Sequence, residues 1–370
     1  MRPTVGFVSL GCPKNLVDTE RMMDLLSKDG AILTGEQNTA DIVVINTCGF
    51  LDPAKKESMD TIGEFISLKK KKRVKGVVVT GCMTERYLGL MRETYPEVDA
   101  FLQTREFSQI VTVVQNISAG ETEVLKKRSL LQGEEQLKGH SEITDFVTRA
   151  PGRRSFAYVK IAEGCNRVCS FCIIPKLRGK LHSRTVAGVV DEVKQLVAHG
   201  TKEVIFIAQD LTSYGRDVGT SLLDLLKEVE KVEGLEWFRL MYNYPRFFTD
   251  ELISFLKTST KFCGYLDIPF QHISDPVLEK MKRPESSAEI KTLISKLRTA
   301  LPNISLRTTV MVGFPGETQE DFEALLEFVK DTNFNHLGAF TYYREEGTPS
   351  FDLEGQLSDE VKQKRYHKLM

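Results

Sequence analysis

The 370-residue sequence has almost no net charge, because 50 Lys and Arg residues oppose 51 Asp and Glu residues. Such a balance gives no overall field that would attract nucleic acid or an anionic membrane. No apolar run approaches the roughly 20 residues that a membrane-spanning helix needs. The segment Met1–Val8 is typical of the start of a strand and not of a signal peptide. These absences predict a protein without a membrane partner.

Cysteine is scarce as well, with seven residues in the whole chain. In a long chain without a secretory signal, so few thiols favour free cysteines in a reducing cytoplasm over disulfides. The six histidines form no H-x3-H or HExxH pair, so a metal site built from histidine is not expected. We therefore predict a cytoplasmic protein whose thiols are available to bind metal.

Three of the seven cysteines, Cys165, Cys169 and Cys172, form a C-x3-C-x2-C pattern on one short stretch. Three thiolates on such a loop can bind three irons of a [4Fe–4S] cube and leave the fourth iron open for chemistry. Zinc is the competing interpretation. Structural zinc takes four ligands, usually in two paired knuckles. The nearest later candidate here is His182, and no second knuckle follows it, so the pattern favours the cluster.

The C-x3-C-x2-C motif, with an aromatic residue before its last cysteine, resembles the signature of the radical S-adenosylmethionine (radical SAM) enzymes. The resemblance implies that the open iron chelates the amino and carboxylate groups of SAM. It also implies that an electron from the cluster breaks a carbon–sulfur bond of the sulfonium. Phe171 would then contact the adenine of SAM, and its alternative role is packing of the loop.

Residues 1–125 repeat one pattern three times: a short β-branched run, a cysteine and a helical stretch. The cysteines are Cys12, Cys48 and Cys82. Strand–helix alternation predicts a parallel sheet with helices on its faces. The cysteines would lie at the carboxyl ends of three strands, where open α/β sheets bind ligands. We therefore expect their thiols to converge in space, although any one of them alone could be an ordinary small buried residue.

A second strand–helix series begins at Ser155 and predicts six β/α units. The predicted fold class is α/β, with an N-terminal parallel sheet domain (1–125), a polar linker (126–154) and a partial (β/α)6 TIM-like barrel (155–370). The active face of such a barrel lies at the carboxyl ends of its strands, and the cysteine loop follows the first strand. The predicted strands are Phe156–Ala162, Glu203–Ala208, Trp237–Tyr242, Tyr265–Phe270, Ser305–Val312 and Leu337–Tyr343.

Four polar residues at predicted strand ends of the barrel are candidate SAM contacts. A buried polar group without a partner costs about 1–3 kcal/mol, and SAM offers a carboxylate, an amine and a ribose. For each residue, contact with the ligand and hydrogen bonding within the barrel remain open alternatives. The four residues are Gln209, Asp210, Gln271 and Arg307.

Two further features carry weaker indications. The basic run Lys69–Lys75 suits a solvated helix end, and a contact with nucleic acid remains open there. Cys263 is the odd thiol and is expected to fill the core. The turn Gly313–Gly316 would let backbone approach a ligand, and Thr318 can cap the helix after it, with Asp321 three residues on.

Two tricysteine sites, one on an N-terminal α/β domain and one on a radical SAM barrel, resemble the methylthiotransferases over nearly the whole chain. The segment Ser9–Glu20, together with Phe270–His272 and Arg178–Lys180, is similar to the type that modifies a ribosomal protein (RimO). The resemblance implies SAM and two [4Fe–4S] clusters as cofactors. The second cluster, with its own open iron, would be bound by Cys12, Cys48 and Cys82.

The implied activity is methylthiolation of the β-carbon of an aspartate in a protein of the small ribosomal subunit. In this hypothesis a 5′-deoxyadenosyl radical, made from SAM at the barrel cluster, abstracts the β-hydrogen, and the carbon radical takes a methylthio group held at the N-terminal cluster. No catalytic residue beyond the cluster ligands is assigned, and an electron donor such as flavodoxin or ferredoxin is expected. The alternatives are a tRNA adenosine methylthiotransferase and, outside this class, a non-catalytic iron–sulfur electron carrier.

The resemblance is incomplete at the C-terminal end. Members of the family continue into a small β-barrel, the TRAM domain, which is linked to substrate docking. The printed sequence stops at Met370 inside a predicted helix, so a TRAM domain is expected to be absent from it.

Overall fold

The computed structural model of the chain describes residues 2–50, 52–122 and 155–370. The chain divides into two compact units, Met1–Arg154 and Ser155–Met370. The predicted linker, residues 126–154, lies outside the described residues.

The N-terminal unit contains a five-stranded sheet in the order β2-β1-β3-β4-β5, in which every neighbouring pair is parallel. The strands are β1 (Thr4–Ser9), β2 (Ile32–Thr34), β3 (Ile42–Thr47), β4 (Gly76–Gly81) and β5 (Ala100–Leu102). The helices are α1 (Pro13–Lys28), α2 (Asp52–Lys70), α3 (Cys82–Thr94) and α4 (Ile110–Ala119).

Strand β3 shows why this sheet carries helices on both faces. All six of its residues are buried, as expected for a central parallel strand that is covered on two sides. Because side chains alternate along a strand, Ile42 and Val44 join an apolar cluster with α1 and α4. Val43 and Ile45 join a second cluster with α2 and α3 on the opposite face.

The C-terminal unit contains six parallel strands, β6 and β9 to β13, paired in chain order. A short antiparallel ribbon joins β7 to β8. The strands are β6 (Phe156–Lys160), β7 (Ala162–Glu163), β8 (His182–Ser183), β9 (Glu203–Ile207), β10 (Trp237–Leu240), β11 (Phe262–Asp267), β12 (Ser305–Val312) and β13 (His336–Thr341). The helices are α5 (Ile174–Arg178), α6 (Val186–Ala198), α7 (Leu222–Glu230), α8 (Asp250–Thr258), α9 (Asp275–Lys280), α10 (Ser287–Ala300), α11 (Gln319–Thr332) and α12 (Asp359–Leu369).

This architecture confirms the predicted fold class: a parallel α/β sheet followed by an open, six-stranded β/α barrel. One apolar cluster joins the outward faces of the strands to the surrounding helices. The predicted cap of α11 is also confirmed, since Thr318 and Asp321 form a reciprocal capping box. Within the described residues, no helix has the length and apolar character needed to cross a membrane.

Several predicted strand ends were wrong. The first barrel strand stops at Lys160, and Ala162 pairs instead with β8 in the ribbon. The strand predicted to end at Tyr242 stops at Leu240, because Tyr242 adopts a left-handed backbone (φ 63°) that leaves the ladder. An apolar run alone does not reveal where the backbone turns out of a sheet.

Candidate metal centres

The structure places Cys12, Cys48 and Cys82 along one edge of the N-terminal sheet. Each cysteine follows the carboxyl end of its strand, β1, β3 and β4 respectively. These three strands are adjacent and parallel, so their carboxyl ends face the same way. The side chain of Cys82 is buried, and those of Cys12 and Cys48 are half-buried.

Close backbone approaches bring the three cysteine segments together. A β-carbon added at Gly11 would lie 2.8 Å from Cβ and 3.1 Å from Sγ of Cys48. One added at Gly49 would lie 3.2 Å from the carbonyl carbon of Cys82. Only glycine, without a β-carbon, lets the neighbouring strand ends come this close.

Asn15 holds this edge together and was not recognised as a site residue from the sequence. Its Nδ2 donates to the carbonyl oxygens of Leu10 (3.1 Å) and Thr47 (3.0 Å). Its Oδ1 accepts from the Cys82 thiol at 3.8 Å, and its own carbonyl accepts from Asn46 Nδ2 at 2.8 Å. One buried amide thus connects the loops after β1, β3 and β4.

The three thiols also lie at the amino ends of helices. Cys12 is the N-cap of α1, and Cys82 is the first residue of α3. Cys48 precedes α2, and its backbone N–H and C=O both bond the Ser58 hydroxyl on that helix. The positive end of a helix dipole favours an anionic ligand nearby. This electrostatic environment suits a thiolate-bound iron–sulfur cube.

No three His, Cys, Asp or Glu side chains in the part of the chain that the structure describes are arranged to hold a single metal ion. A [4Fe–4S] cube places each thiolate on a different iron. Its ligands are therefore spaced more widely than the ligands of one zinc ion, which all lie about 2.3 Å or less from the same atom.

The second cysteine triplet lies on the loop between β7 and α5. The N–H of Cys165 donates to the carbonyl of Gly179 at 3.0 Å. The N–H of Arg167 donates to Sγ of Cys165 at 3.4 Å. Gly164 has a φ of 76°, and a β-carbon there would lie 2.0 Å from the carbonyl oxygen of Lys180. Glycine is therefore required directly before the first cysteine.

Ser170 anchors the middle of this loop to two later parts of the chain. Its N–H donates to the carbonyl of Met281 at 3.0 Å, and its hydroxyl donates to the carbonyl of Lys280 at 2.7 Å. Its own carbonyl accepts from the N–H of Ser350 at 2.8 Å. The side chains of Cys169 and Phe171 are therefore presented from a fixed backbone.

Burial governs the acidity of the thiols in this loop when no metal is bound. It raises the pKa of Cys165 to about 11, against an opposing hydrogen bond from the Arg167 N–H. It raises the pKa of Cys172 to about 12, and the neighbouring thiols Cys169 and Cys165 add to the rise. Both thiols are thus protonated at neutral pH, and metal binding would release their protons.

A buried network of charges lies just before the cysteine loop. Glu163 accepts from Lys160 Nζ at 2.7 Å and from Arg178 at 3.4 Å. Burial would raise the pKa of Glu163, but the charges of Lys160 and Arg178 outweigh it and lower this pKa to about 2. Gln209 donates to the same carboxylate at 2.5 Å, and its Oε1 has no hydrogen-bond partner among the described residues. That oxygen can accept from a ligand.

Asp210 is fully engaged inside the barrel. Its carboxylate accepts from Arg167 Nε at 2.8 Å and from the hydroxyl of Ser213 at 2.5 Å. It also accepts from the N–H of Ser213 (3.1 Å) and the hydroxyl of Thr212 (3.0 Å). The structure thus gives Asp210 the role of orienting Arg167 within the cysteine loop, and its contact with SAM stays a prediction.

The other three candidate contacts lie in different settings. Gln271 has a left-handed backbone (φ 72°) and bridges to β12 through its N–H and C=O. Arg307 is the third of eight residues of β12, so its assignment to a strand end was wrong. It donates to Asp267 at 2.7 Å. Phe171 packs edge-on against Phe314, with ring centres 6.5 Å apart.

A buried ion pair that the sequence analysis missed underlies the strand-end turn Gly313–Glu317. The Glu317 carboxylate accepts from the N–H groups of Gly313 (2.7 Å) and Phe314 (3.2 Å). Arg365 of α12 donates to the same carboxylate at 2.5 Å. His272 Nε2 lies 3.7 Å from it. In the sequence, Arg365 is only an arginine at helical spacing from Leu369 and Lys362, and that spacing does not identify Glu317 as its partner.

Comparison with known proteins assigns both units. The family model described as "Uncharacterized protein family UPF0004" matches residues 4–103, and that of the Radical SAM superfamily matches residues 159–329. The chain is 45% identical to the ribosomal protein uS12 methylthiotransferase RimO of Geotalea uraniireducens, over 100% of this chain and 81% of that protein. It is 47% identical to RimO of Citrifermentans bemidjiense, over 99% of this chain and 80% of that protein.

Solved structures support the fold. The radical SAM methyltransferase TsrM of Kitasatospora setae, with cobalamin and a [4Fe–4S] cluster bound, matches at a TM-score of 0.69. It is 15% identical and covers 95% of this chain and 77% of its own. The cobalamin-dependent radical SAM enzyme OxsB matches at a TM-score of 0.58 with 13% identity, over 100% of this chain and 56% of its own.

Proposed function

The chain belongs to the family of ribosomal protein uS12 methylthiotransferases (RimO), and we propose that it transfers a methylthio group to the β-carbon of an aspartate in protein uS12. Identity of 42–47% over nearly the whole chain to eight such relatives carries this proposal. The chain covers 80–82% of the length of these relatives. They favour the ribosomal protein over tRNA as the substrate.

The cofactors follow from the two cysteine sites. Membership of the radical SAM superfamily implies SAM and one [4Fe–4S] cluster, which we assign to Cys165, Cys169 and Cys172. We assign a second [4Fe–4S] cluster to Cys12, Cys48 and Cys82. The adjacent strand ends, the glycine contacts and the helix amino ends support this assignment. In domain terms, residues 1–125 would carry the second cluster and residues 155–370 the SAM chemistry, with 126–154 as the linker.

The protein's own residues prepare the site for this chemistry. When bound, the barrel cluster supplies the electron that cleaves SAM into the radical that removes a hydrogen from the unactivated C–H bond. Gly179, Ser170 and Asp210 fix the backbone and the Arg167 side chain of the loop that holds it. Glu163, kept ionised by Lys160 and Arg178, presents Gln209 with its free Oε1 toward a ligand.

At the N-terminal site, Asn15 is the residue that positions the cysteine-bearing segments. It fixes the spacing of the three strand ends and accepts from the Cys82 thiol. We propose that the cluster bound by this triplet would hold the sulfur species that is transferred, and that the three cysteines serve only as its ligands. The proposed compartment is the cytoplasm, where ribosomal proteins and reduced thiols are found together. The proposed partners are uS12 and a one-electron donor protein.

Substitution of single cysteines tests the division of labour. In Cys12→Ala, we expect SAM still to yield 5′-deoxyadenosine, because the barrel triplet is intact, while methylthiolation of uS12 is lost. In Cys165→Ala, both the formation of 5′-deoxyadenosine and the methylthiolation of uS12 should be lost. Cys263→Ala is the matched control, because Cys263 lies in β11 outside both triplets, and it should retain both activities.

Three outcomes would contradict the proposal. Unchanged methylthiolation by Cys12→Ala would remove the N-terminal triplet from the reaction. Mass analysis of uS12 and tRNA from a deletion strain separates the two substrates, and loss of the modification from tRNA alone would assign the tRNA reaction instead. An electron carrier without turnover would form no 5′-deoxyadenosine from SAM and dithionite.

A further inference from the structure

Guanidinium groups and aromatic rings alternate beside the cysteine loop of the C-terminal unit. The guanidinium carbon of Arg167, within the loop, lies 3.8 Å from the ring centre of Tyr244 and 4.4 Å from that of Phe247. Arg216 lies 4.1 Å from the Phe247 ring, and Arg283 lies 4.4 Å from the Tyr244 ring. We call these five side chains the arginine stack.

The charges of the stack are only partly compensated. Arg167 is paired with Asp210 at 2.8 Å, and Arg283 lies 3.8 Å from Glu285; both acids are buried. Arg216 is exposed, and no carboxylate of the described residues is within ion-pair distance of it. One guanidinium therefore faces solvent with its charge available to a partner.

Further exposed cations flank the stack. Arg246 and Lys282 precede two of its members in sequence, and neither forms an ion pair within the described part of the chain. We call Arg216, Arg246 and Lys282 the basic collar. Two exposed acids lie near the collar. One oxygen of Asp217 accepts from the N–H of Ser183 at 2.8 Å, and Glu289, which interacts electrostatically with Arg246, accepts from the N–H of Ser286 at 2.8 Å. The collar thus places three exposed cations next to members of the stack, in a chain whose overall net charge is −1.

The cysteine loop itself reaches the surface beside the collar. Val168, between Cys165 and Cys169, is 69% exposed, although it is apolar. Phe247, a member of the stack that contacts Arg167 of the same loop, is half-exposed. Val168 and Phe247 thus provide exposed apolar surface next to the basic collar. This combination is typical of protein–protein interfaces, in which Arg and aromatic residues are enriched at the centre.

We propose that the basic collar, with Phe247 and Val168, is the docking surface for an acidic one-electron donor protein of the flavodoxin or ferredoxin type. The proposal rests on the proposed function, which requires one electron for each SAM that is cleaved. The reduced donor loses one electron and the cluster bound by the loop gains it, with no proton or bond exchanged.

Charge and position together select this partner. Opposite charges on two proteins steer their encounter and raise the association rate by about 10- to 1,000-fold at low salt. A basic surface also suits RNA, but this one adjoins the loop that has to receive the electron, which favours a redox protein. The partner is thus expected to carry an acidic surface around its flavin or iron–sulfur group.

Charge reversal tests the surface. We would prepare Arg216→Glu and the double variant Arg216→Glu/Lys282→Glu. Lys291→Glu is the control, because Lys291 is also an exposed lysine but lies within α10 and outside the collar. Binding of an acidic flavodoxin is measured with both the cluster-free and the reconstituted protein over a range of salt. We expect Kd to rise about tenfold or more in the charge-reversal variants and its salt dependence to fall. The control should bind like the wild type.

A kinetic readout separates docking from catalysis. Reduction of the cluster by flavodoxin hydroquinone should slow about tenfold in the double variant. Cleavage of SAM driven by dithionite, a small reductant that needs no docking surface, should stay within about twofold of the wild type.

Specific results would overturn the proposal. Unchanged flavodoxin affinity in both charge-reversal variants would do so. The proposal would also fail if the charge-reversal variants lost binding to a labelled ribosomal RNA fragment but kept their affinity for flavodoxin, because the surface would then be an RNA site. If the wild type cleaved no SAM even with dithionite, the proposed function would fail, while the binding measurements would still decide the docking surface.

Discussion

Single residues decide whether the N-terminal cysteines can meet. Gly81 precedes Cys82 and has a φ of 105°, which side chains rarely tolerate. A β-carbon there would lie 2.3 Å from the carbonyl oxygen of Thr47, on the neighbouring strand. The missing β-carbon therefore sets the distance between two of the three cysteine loops.

Gly81→Ala should push the ends of β3 and β4 apart. We expect it to lower the free energy of unfolding by about 2 kcal/mol or more and to reduce the iron bound by the N-terminal triplet. Gly89→Ala is the control, because a β-carbon at Gly89, inside α3, meets nothing within 4 Å. That change should stabilise the helix by about 0.5–1 kcal/mol. Urea unfolding and iron analysis measure both effects, and equal iron content in both variants would contradict the argument.

Among the elements, α12 has a role that its position late in the chain does not suggest. Through Arg365 and Glu317 it fixes the turn after β12. That turn carries Phe314, whose ring packs against Phe171 of the cysteine loop. The last helix of the described chain is thus connected, by three contacts, to the loop after the first barrel strand.

Arg365→Met should destabilise the C-terminal unit by about 3–5 kcal/mol, because it leaves the buried Glu317 carboxylate uncompensated. The double variant Arg365→Met/Glu317→Gln should recover part of that loss. Lys364→Met is the control on the same helix: Lys364 is exposed, and its ion pair with Glu360 should contribute at most about 1 kcal/mol. Denaturant midpoints measure all three variants. A double variant no more stable than Arg365→Met would show that the buried charge is not the cause.

For the whole molecule, the quantity that tests the cofactor assignment most directly is the number of [4Fe–4S] clusters bound per chain. The two compact units each carry one cysteine triplet. The same type of cofactor is thus proposed at two structurally different sites. One is the edge of an open parallel sheet, and the other is a loop of the barrel.

Iron and sulfide analysis of the anaerobically reconstituted protein should give about eight irons per chain. Replacing Cys12, Cys48 and Cys82 by Ala should leave about four, and replacing Cys165, Cys169 and Cys172 should also leave about four. Cys263→Ala should retain about eight. About four irons in the wild type would exclude the second cluster.

The sequence predicted the contiguous features of the site best. The C-x3-C-x2-C loop could be found directly because its ligands are local in the chain. The polar residues were harder, because burial and partners depend on distant strands. Asp210 was identified as a candidate ligand contact, and only the structure revealed that its carboxylate binds Arg167 and Ser213; its contact with SAM stays a prediction. Arg307 was assigned to a strand end, and it lies inside β12.

The sequence by itself determined the α/β class, the six barrel strands and the two cysteine triplets, because hydrophobic period, glycine position and thiol spacing are local properties. Only the tertiary structure decided which strands are neighbours, so that β1, β3 and β4 bring Cys12, Cys48 and Cys82 to one edge. It alone revealed Asn15, the Arg365–Glu317 pair and the arginine stack. These contacts join residues far apart in the chain, and their energy arises from burial and geometry that no local pattern encodes.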